Sequence, residues 1–245
     1  MSATADTSRD STPELSPLDI GQSYAPLPVY KEAGITTVDI DGLLSPALKL
    51  REDLSSGCGG QTWPAGMVLT KHMLKHHRGD LGSERILELG AGGGLVGLAV
   101  ALGCPLGSPV YVTDQLEMLS LMEHNIELNA LGGMAKAMIL NWGEPLCKEV
   151  VDFKPSIILA ADCVYFEPAF PLLLKTLADL LDLNSSATIY FCFKKRRRAD
   201  MQFLSKAMKM FRVTEVADDD REVFRRDGLF LYAITRKSTS AGVGV

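Results

Sequence analysis

The residues best suited to chemistry lie in Ile86-Leu87-Glu88-Leu89-Gly90-Ala91-Gly92-Gly93-Gly94-Leu95-Val96-Gly97. Apolar runs lead into and out of this stretch, so its glycines occupy a turn from a strand into a helix. Gly90 and Gly92, with Ala91 between them, allow a tight turn and leave bare backbone for a ligand to lie against. Two ligand types use such a turn. A dinucleotide sets its pyrophosphate on the helix N-terminus through G-x-G-x-x-G spacing, and Gly92, Gly94 and Gly97 satisfy that spacing literally. S-adenosylmethionine has no phosphate and carries an ammonium and a sulfonium. Glu88, two residues before Gly90, suits those cations and would repel a pyrophosphate, so the pattern favours the methyl donor. Asp114 ends the next apolar run, Val110 to Asp114, where a carboxylate can accept both ribose hydroxyls of an adenosine.

Three more segments belong with this turn. Trp142, in Asn141-Trp142-Gly143-Glu144, could stack on adenine or serve as a core indole. In Ala160-Ala161-Asp162-Cys163-Val164-Tyr165 another apolar run ends at the same edge. Ligands of open α/β sheets bind beyond the carboxyl ends of the strands, so Asp162 and Tyr165 would face a transferred group. As a turn or helix-cap residue, Asp162 would need no such role. Trp63 precedes a helix opened by Pro64 and could close over a cofactor.

Elements must carry these residues to one place. Short apolar runs at 85–89, 110–113, 137–140, 157–160 and 188–193 read as buried strands. Helical patterns run over 64–77, 95–102, 116–128, 169–181 and 199–211. Strands alternating with helices predict a parallel sheet covered on both faces. Two last strands, at 213–216 and 229–235, have no helix-length segment between them and should pair antiparallel at one edge. Ahead of the sheet, 35–40 and 43–50 flank Asp41-Gly42, a hairpin signal.

Composition excludes several classes. The formal charge of −5 over 245 residues argues against a basic nucleic-acid coat. The sequence holds no apolar run of membrane-spanning length, and its first residues carry no secretory core. Five scattered cysteines without a C-x-x-C pair fit a reducing intracellular setting, with neither a disulfide frame nor a zinc knuckle. Residues 1–30 hold four of the twelve prolines, eight Ser/Thr and four acids against Arg9. They read as a disordered arm, 31–237 as one domain and 238–245 as a flexible tail.

The motifs E-L-G-A-G-G-G-L-V-G-L, V-Y-V-T-D, N-W-G-E-P-L and A-A-D-C-V-Y-F-E-P-A-F-P-L-L resemble those of the seven-β-strand protein-lysine methyltransferases. Within them, the likeness is to the fungal branch that acts on translation elongation factor 1-alpha. The resemblance spans about Leu43 to Lys237 and extends to the run from Phe193 to Asp200. It implies a Rossmann-like sheet of seven strands, mostly parallel, with the last strand antiparallel. It also implies S-adenosylmethionine contacts from Trp63, Gly90, Ala91, Gly92, Asp114, Trp142 and Ala161, alongside Glu88, and a D-x-x-Y signature at Asp162 and Tyr165. Asp162 would then capture and orient a lysine amine, with Tyr165 as a wall or hydroxyl contact beside it. Gly93 departs from relatives that carry Thr. The implied protein is a cytoplasmic monomer whose partner is a protein substrate. A methyltransferase of RNA or small molecules, an NAD(P)-dependent oxidoreductase and a non-catalytic binding module are the alternatives.

Other features receive plainer readings. Lys194 to Arg198 is either a solvated helix start or a docking patch for an acidic surface. His72 and His76 share a helix face, but neither a third ligand nor a zincin glutamate is evident, so no metal is expected. Cys163 reads as a small buried residue, and Asp218 to Glu222 as a charged loop.

Overall fold

The computed structural model describes residues 33–54 and 58–237. The disordered-arm and flexible-tail expectations, for 1–30 and 238–245, lie outside the described residues.

The chain opens with a hairpin. Strands β1 (Gly34–Val38) and β2 (Leu48–Glu52) pair antiparallel from Gly34↔Glu52 to Val38↔Leu48. Asp41-Gly42 does not close it as a two-residue turn. Residues 39–47 join the strands because Ile40 and Leu44 are drawn into the core.

Helix α1 (Pro64–His76) leads into the alternating pattern of β3 (Ile86–Leu89), α2 (Leu95–Gly103), β4 (Val110–Asp114), α3 (Leu116–Leu128) and β5 (Ala135–Ile139). A short helix α4 (Lys148–Phe153) precedes β6 (Ile157–Ala161), followed by α5 (Phe170–Leu183), β7 (Thr188–Lys194), α6 (Arg198–Met210) and β8 (Phe211–Glu215). Helix α7 (Arg221–Arg226) and β9 (Leu229–Arg236) finish the fold. The seven-stranded sheet has the order β5-β4-β3-β6-β7-β9-β8. It is parallel except for β9, which runs antiparallel to both β7 and β8. The sequence pattern missed α4 and α7. Each is six residues long with one buried side chain, Val150 or Phe224, too little for a 3.6-residue period to show.

Central β3 sits between two apolar layers and is buried along its whole length. Side-chain alternation sends Ile86 into the layer with α1, α2 and α3, and Leu87 and Leu89 into the layer with α5 and α6. Glu88 therefore shares the Ile86 face, beneath α2. Helix α2 contains no polar side chain, and Leu95 through Ala101 are all buried. Helix α5 instead turns a stripe inward, with Phe170, Leu173, Leu174, Leu177, Leu180 and Leu181 buried. Each such leucine contributes roughly 1.5–3 kcal/mol. Among the described residues no helix is long and apolar enough to cross a membrane.

Candidate active site

The glycine turn is held from below by side chains that reach backbone. Gly90, Gly92 and Gly94 have φ of 64°, 55° and 89°, values that L side chains rarely adopt. A Cβ on Gly92 would stand 2.2 Å from the Gly59 carbonyl oxygen, and one on Gly90 would meet Trp142 at 2.8 Å and Cys163 Sγ at 2.9 Å. Gly92 N–H donates to Asp114 Oδ2 (2.7 Å), and Gln115 N–H donates to Asp114 Oδ1 (2.7 Å). Burial raises the Asp114 carboxyl pKa, with these two bonds working against the rise.

Glu88 has a task that the sequence reading did not give it. Gly94, the N-cap of α2, has no side chain, so Glu88 does the capping from the strand below. Its carboxyl oxygens accept Val96 N–H (3.1 Å) and Gly97 N–H (2.8 Å), two of the donors a helix start leaves open. Burial pushes its carboxyl pKa up to about 8 against these bonds. Gly97 must be glycine because a Cβ there would lie 2.6 Å from Glu88 Oε2. The literal G-x-G-x-x-G match thus arises from capping. The Val96 and Gly97 N–H groups, which a pyrophosphate at this helix start could use, are already taken, which weakens the physical basis for the dinucleotide alternative.

The hairpin completes this wall. Buried Glu52 accepts Thr62 N–H (2.8 Å) and hydroxyl bonds from Thr62 (2.9 Å) and Thr36 (2.6 Å), and Asp53 N–H donates to the Gly60 carbonyl (2.7 Å). These bonds bring Gly59 to Trp63 over the glycine turn. Asn125 of α3 donates to the Gly93 carbonyl (2.8 Å) and accepts Arg51 N–H (2.8 Å). A Cβ on Gly93 would come 3.2 Å from Asn125 Nδ2, so any side chain here would press on this link. Neither Glu52 nor Asn125 was visible as a site residue in sequence, because their partners lie 10 to 74 positions away.

Opposite, Ala161 ends β6 and Asp162 turns the chain away at φ 57°, its N–H bonded to the Cys192 carbonyl (2.8 Å). An aspartate tolerates this left-handed conformation better than most side chains. Asp162 is 7% exposed, and Arg196 grips it with Nη1 to Oδ1 at 2.8 Å and Nη2 to Oδ2 at 2.6 Å. The Arg196 guanidinium carbon also lies 5.4 Å from the centroid of the Trp63 ring. Tyr165 is 46% exposed, and its carbonyl accepts a bond from Arg197. Lys194 to Arg198 is therefore neither a plain solvated helix start nor an unbroken patch. Arg196 bends toward Asp162 while staying partly exposed, and Asp200, buried at the head of α6, accepts the N–H groups of Arg196 and Arg197 (2.8 Å each). Cys163 is buried, and burial raises its thiol well above the ordinary value, which leaves it unreactive.

The ten residues singled out from sequence, namely Trp63, Glu88, Gly90, Ala91, Gly92, Asp114, Trp142, Ala161, Asp162 and Tyr165, border one cleft of about 760 Å³. Trp142 lines it against the glycine turn. The next residue, Gly143 (φ 81°), is anchored by its N–H to Thr176 of α5 (2.8 Å).

His72 and His76 do find a third group, Asp218, 146 positions from His72. His72 Nδ1 lies 2.7 Å from Asp218 Oδ2. Two ligands about 2.0–2.1 Å from one tetrahedral zinc stand roughly 3.3 Å apart, so this contact is a hydrogen bond. Burial lowers the His72 pKa and keeps the imidazole neutral, with Nδ1–H donating. Lys75 pairs with Asp219 (2.9 Å), and Lys71 with Asp220 (3.0 Å) and Asp41 (2.6 Å). The loop after β8 is thus a clasp on α1, with Asp218 nearly buried, where the sequence suggested a plain charged loop.

Comparison with known proteins agrees with this geometry. The family described as lysine methyltransferase matches residues 43–210. The protein-lysine N-methyltransferase EFM6 of Saccharomyces cerevisiae is 38% identical over 89% of this chain and 97% of its own length. The protein N-lysine methyltransferase METTL21A of Danio rerio is 34% identical over 81% of this chain and 88% of its own. EEF1A lysine methyltransferase 3 of Mus musculus is 32% identical over 68% and 69%. In fold, the chain is similar to the methyltransferase domain of METTL16, with a TM-score of 0.51 and 14% identity over 72% of this chain and 84% of that one. On the matched family and on these relatives, the chain belongs to the lysine methyltransferase family.

Proposed function

We propose that the chain transfers a methyl group from S-adenosylmethionine to a lysine of a partner protein, translation elongation factor 1-alpha, acting as a cytoplasmic monomer. The observation that carries the reading is that Asp162 and Tyr165 open on the same cleft as the glycine turn. The substrate is supported by the mouse relative, which is named an EEF1A lysine methyltransferase.

The cleft residues fit the methyl donor. Backbone is left bare at Gly90 and Gly92, where a Cβ would collide. Each Asp114 oxygen accepts one backbone N–H and keeps lone-pair capacity for a ribose hydroxyl. Trp142 offers a ring face for adenine, and about 760 Å³ is within the range of small-molecule sites. When bound, S-adenosylmethionine supplies a methyl group activated by its sulfonium.

The chain's own work is alignment, which can supply several kcal/mol. A lysine amine, with a pKa of about 10.4, is almost wholly protonated near neutrality and must lose a proton before it attacks. Asp162 captures and orients the amine, Tyr165 walls it, and the proton leaves to water. Desolvation between these walls favours the neutral amine.

The test incubates the purified chain with S-adenosylmethionine and purified elongation factor 1-alpha, followed by intact-mass and peptide mass spectrometry. Methyl increments confined to one lysine are expected. Label entering only RNA or small molecules would overturn the reading.

A further inference from the structure

Arg196 belongs to none of the roles derived from sequence, yet it spans the cleft. It is the second residue after β7, and its backbone is pinned by its N–H bond to buried Asp200. From that anchor its guanidinium forms a two-pronged pair with Asp162 and lies near the Trp63 ring. Three parts of the fold therefore meet at one side chain: the segment before α1, the end of β6 and the end of β7. The pair is well protected on the Asp162 side, where the carboxylate also accepts Lys194 N–H (3.3 Å).

We propose that Arg196 is a positioning residue for methyl transfer, holding the Asp162 carboxylate in one orientation and offsetting its charge before the incoming amine. The inference rests on the lysine-transfer reading and adds to it. A bare carboxylate beside an amine favours the ammonium form, which cannot attack. Glu52, Glu88 and Asp114 border the cleft from β2, β3 and β4, with Arg51 beside Glu52, while Cys163 and Tyr165 flank Asp162 and Arg197 bonds the Tyr165 carbonyl; the guanidinium on the Asp162 carboxylate itself is that of Arg196. With Arg196 in place, the two guanidinium prongs and Lys194 N–H take both acceptor sites of Oδ1 and one of Oδ2, and the site left on Oδ2 can receive an amine N–H. Orientation is retained while the pull toward the ammonium form is weakened.

The test compares wild type with Arg196→Gln and Arg196→Lys, measuring kcat and KM for protein methylation across pH, together with S-adenosylhomocysteine affinity by calorimetry. For Arg196→Gln, kcat at neutral pH is expected to fall at least tenfold. Its acidic limb should move up by about one pH unit, since an uncovered Asp162 raises the pKa of the bound amine. Arg196→Lys keeps the charge without the fork, so its limb stays at the wild-type position and kcat recovers in part. Both variants should bind S-adenosylhomocysteine within about threefold of wild type, which shows that the cleft has folded. A Gln variant with an unmoved limb, whether slow or fast, overturns the inference, as does one that outpaces wild type. Wild-type enzyme that methylates no lysine overturns the lysine-transfer reading, and this inference with it. An active wild type with an unmoved Gln limb overturns the inference alone.

Discussion

Around the glycine turn, side chains hold backbone. Glu88 takes the N–H groups of Val96 and Gly97, Asp114 takes those of Gly92 and Gln115, and Asn125 holds the Gly93 carbonyl. Across the cleft, at the ends of β6 and β7, side chain meets side chain: Asp162 with Arg196, and Arg196 near Trp63. The first wall is a fixed cradle in which every atom has a set place. The second is a pair of charges that faces whatever enters the cleft. A cradle suits a ligand that is the same in every turnover. A charged wall suits an amine that must arrive as a cation and react as a neutral base.

Gly92→Ala should break the cradle most severely. The added Cβ would fall 2.2 Å from a backbone oxygen at a residue with φ 55°. An alanine there costs backbone strain as well as displacement of Gly59. We expect S-adenosylhomocysteine affinity to fall by more than about a hundredfold, with stability reduced by roughly 2–3 kcal/mol in denaturant unfolding. Near-normal affinity would show that the turn has slack.

Glu88→Gln gives a smaller effect that reveals how the cradle is charged. The Glu88 pKa is raised to about 8 from 4.5, so the folded state binds its proton more tightly than the unfolded state does. Its contribution is complete below pH 4.5 and is lost as pH rises through about 8. Ligand-free stability measured by denaturant should carry that slope in wild type and lose it in Glu88→Gln. Identical slopes in the two proteins would remove Glu88 from the account.

The His72–Asp218 clasp should titrate with the opposite sign, and more weakly. Burial lowers the His72 pKa below 6.5, so its contribution is present above 6.5 and is lost as pH falls through the folded value. His72→Gln should flatten this acid-side loss while leaving S-adenosylhomocysteine affinity unchanged. A change in that affinity would tie the clasp to the cleft.

These two walls also differ in how far sequence revealed them. The cradle was readable because its parts are local: a strand, glycines at fixed steps and an acid at the end of the next strand. The apolar runs of β3 and α2 placed the turn between a strand and a helix, and the order of strands and helices gave the fold. Even here the task of Glu88 was hidden, since a cap supplied from a neighbouring strand leaves no mark at the helix's own N-cap. The charged wall was half visible. Asp162 and Tyr165 stood out by motif, but Arg196 sat within five basic residues whose side chains only the fold sorts inward or outward. Asp218, likewise, was one acid among several until β8 and α7 brought it to His72. Pairings separated by 34 or 146 residues leave no spacing to read.

The central claim is that one cleft joins a cradle for the donor to a charged wall for the acceptor. Asp162→Ala tests it most directly, through methyl transfer to elongation factor 1-alpha and S-adenosylhomocysteine calorimetry on the same preparation. The account predicts that transfer is abolished while affinity stays within a few-fold of wild type. It also predicts a modest stability loss of about 1–2 kcal/mol, because the unpaired Arg196 is partly solvated. Retained transfer, or affinity lost along with it, would contradict the division of the cleft into these two walls.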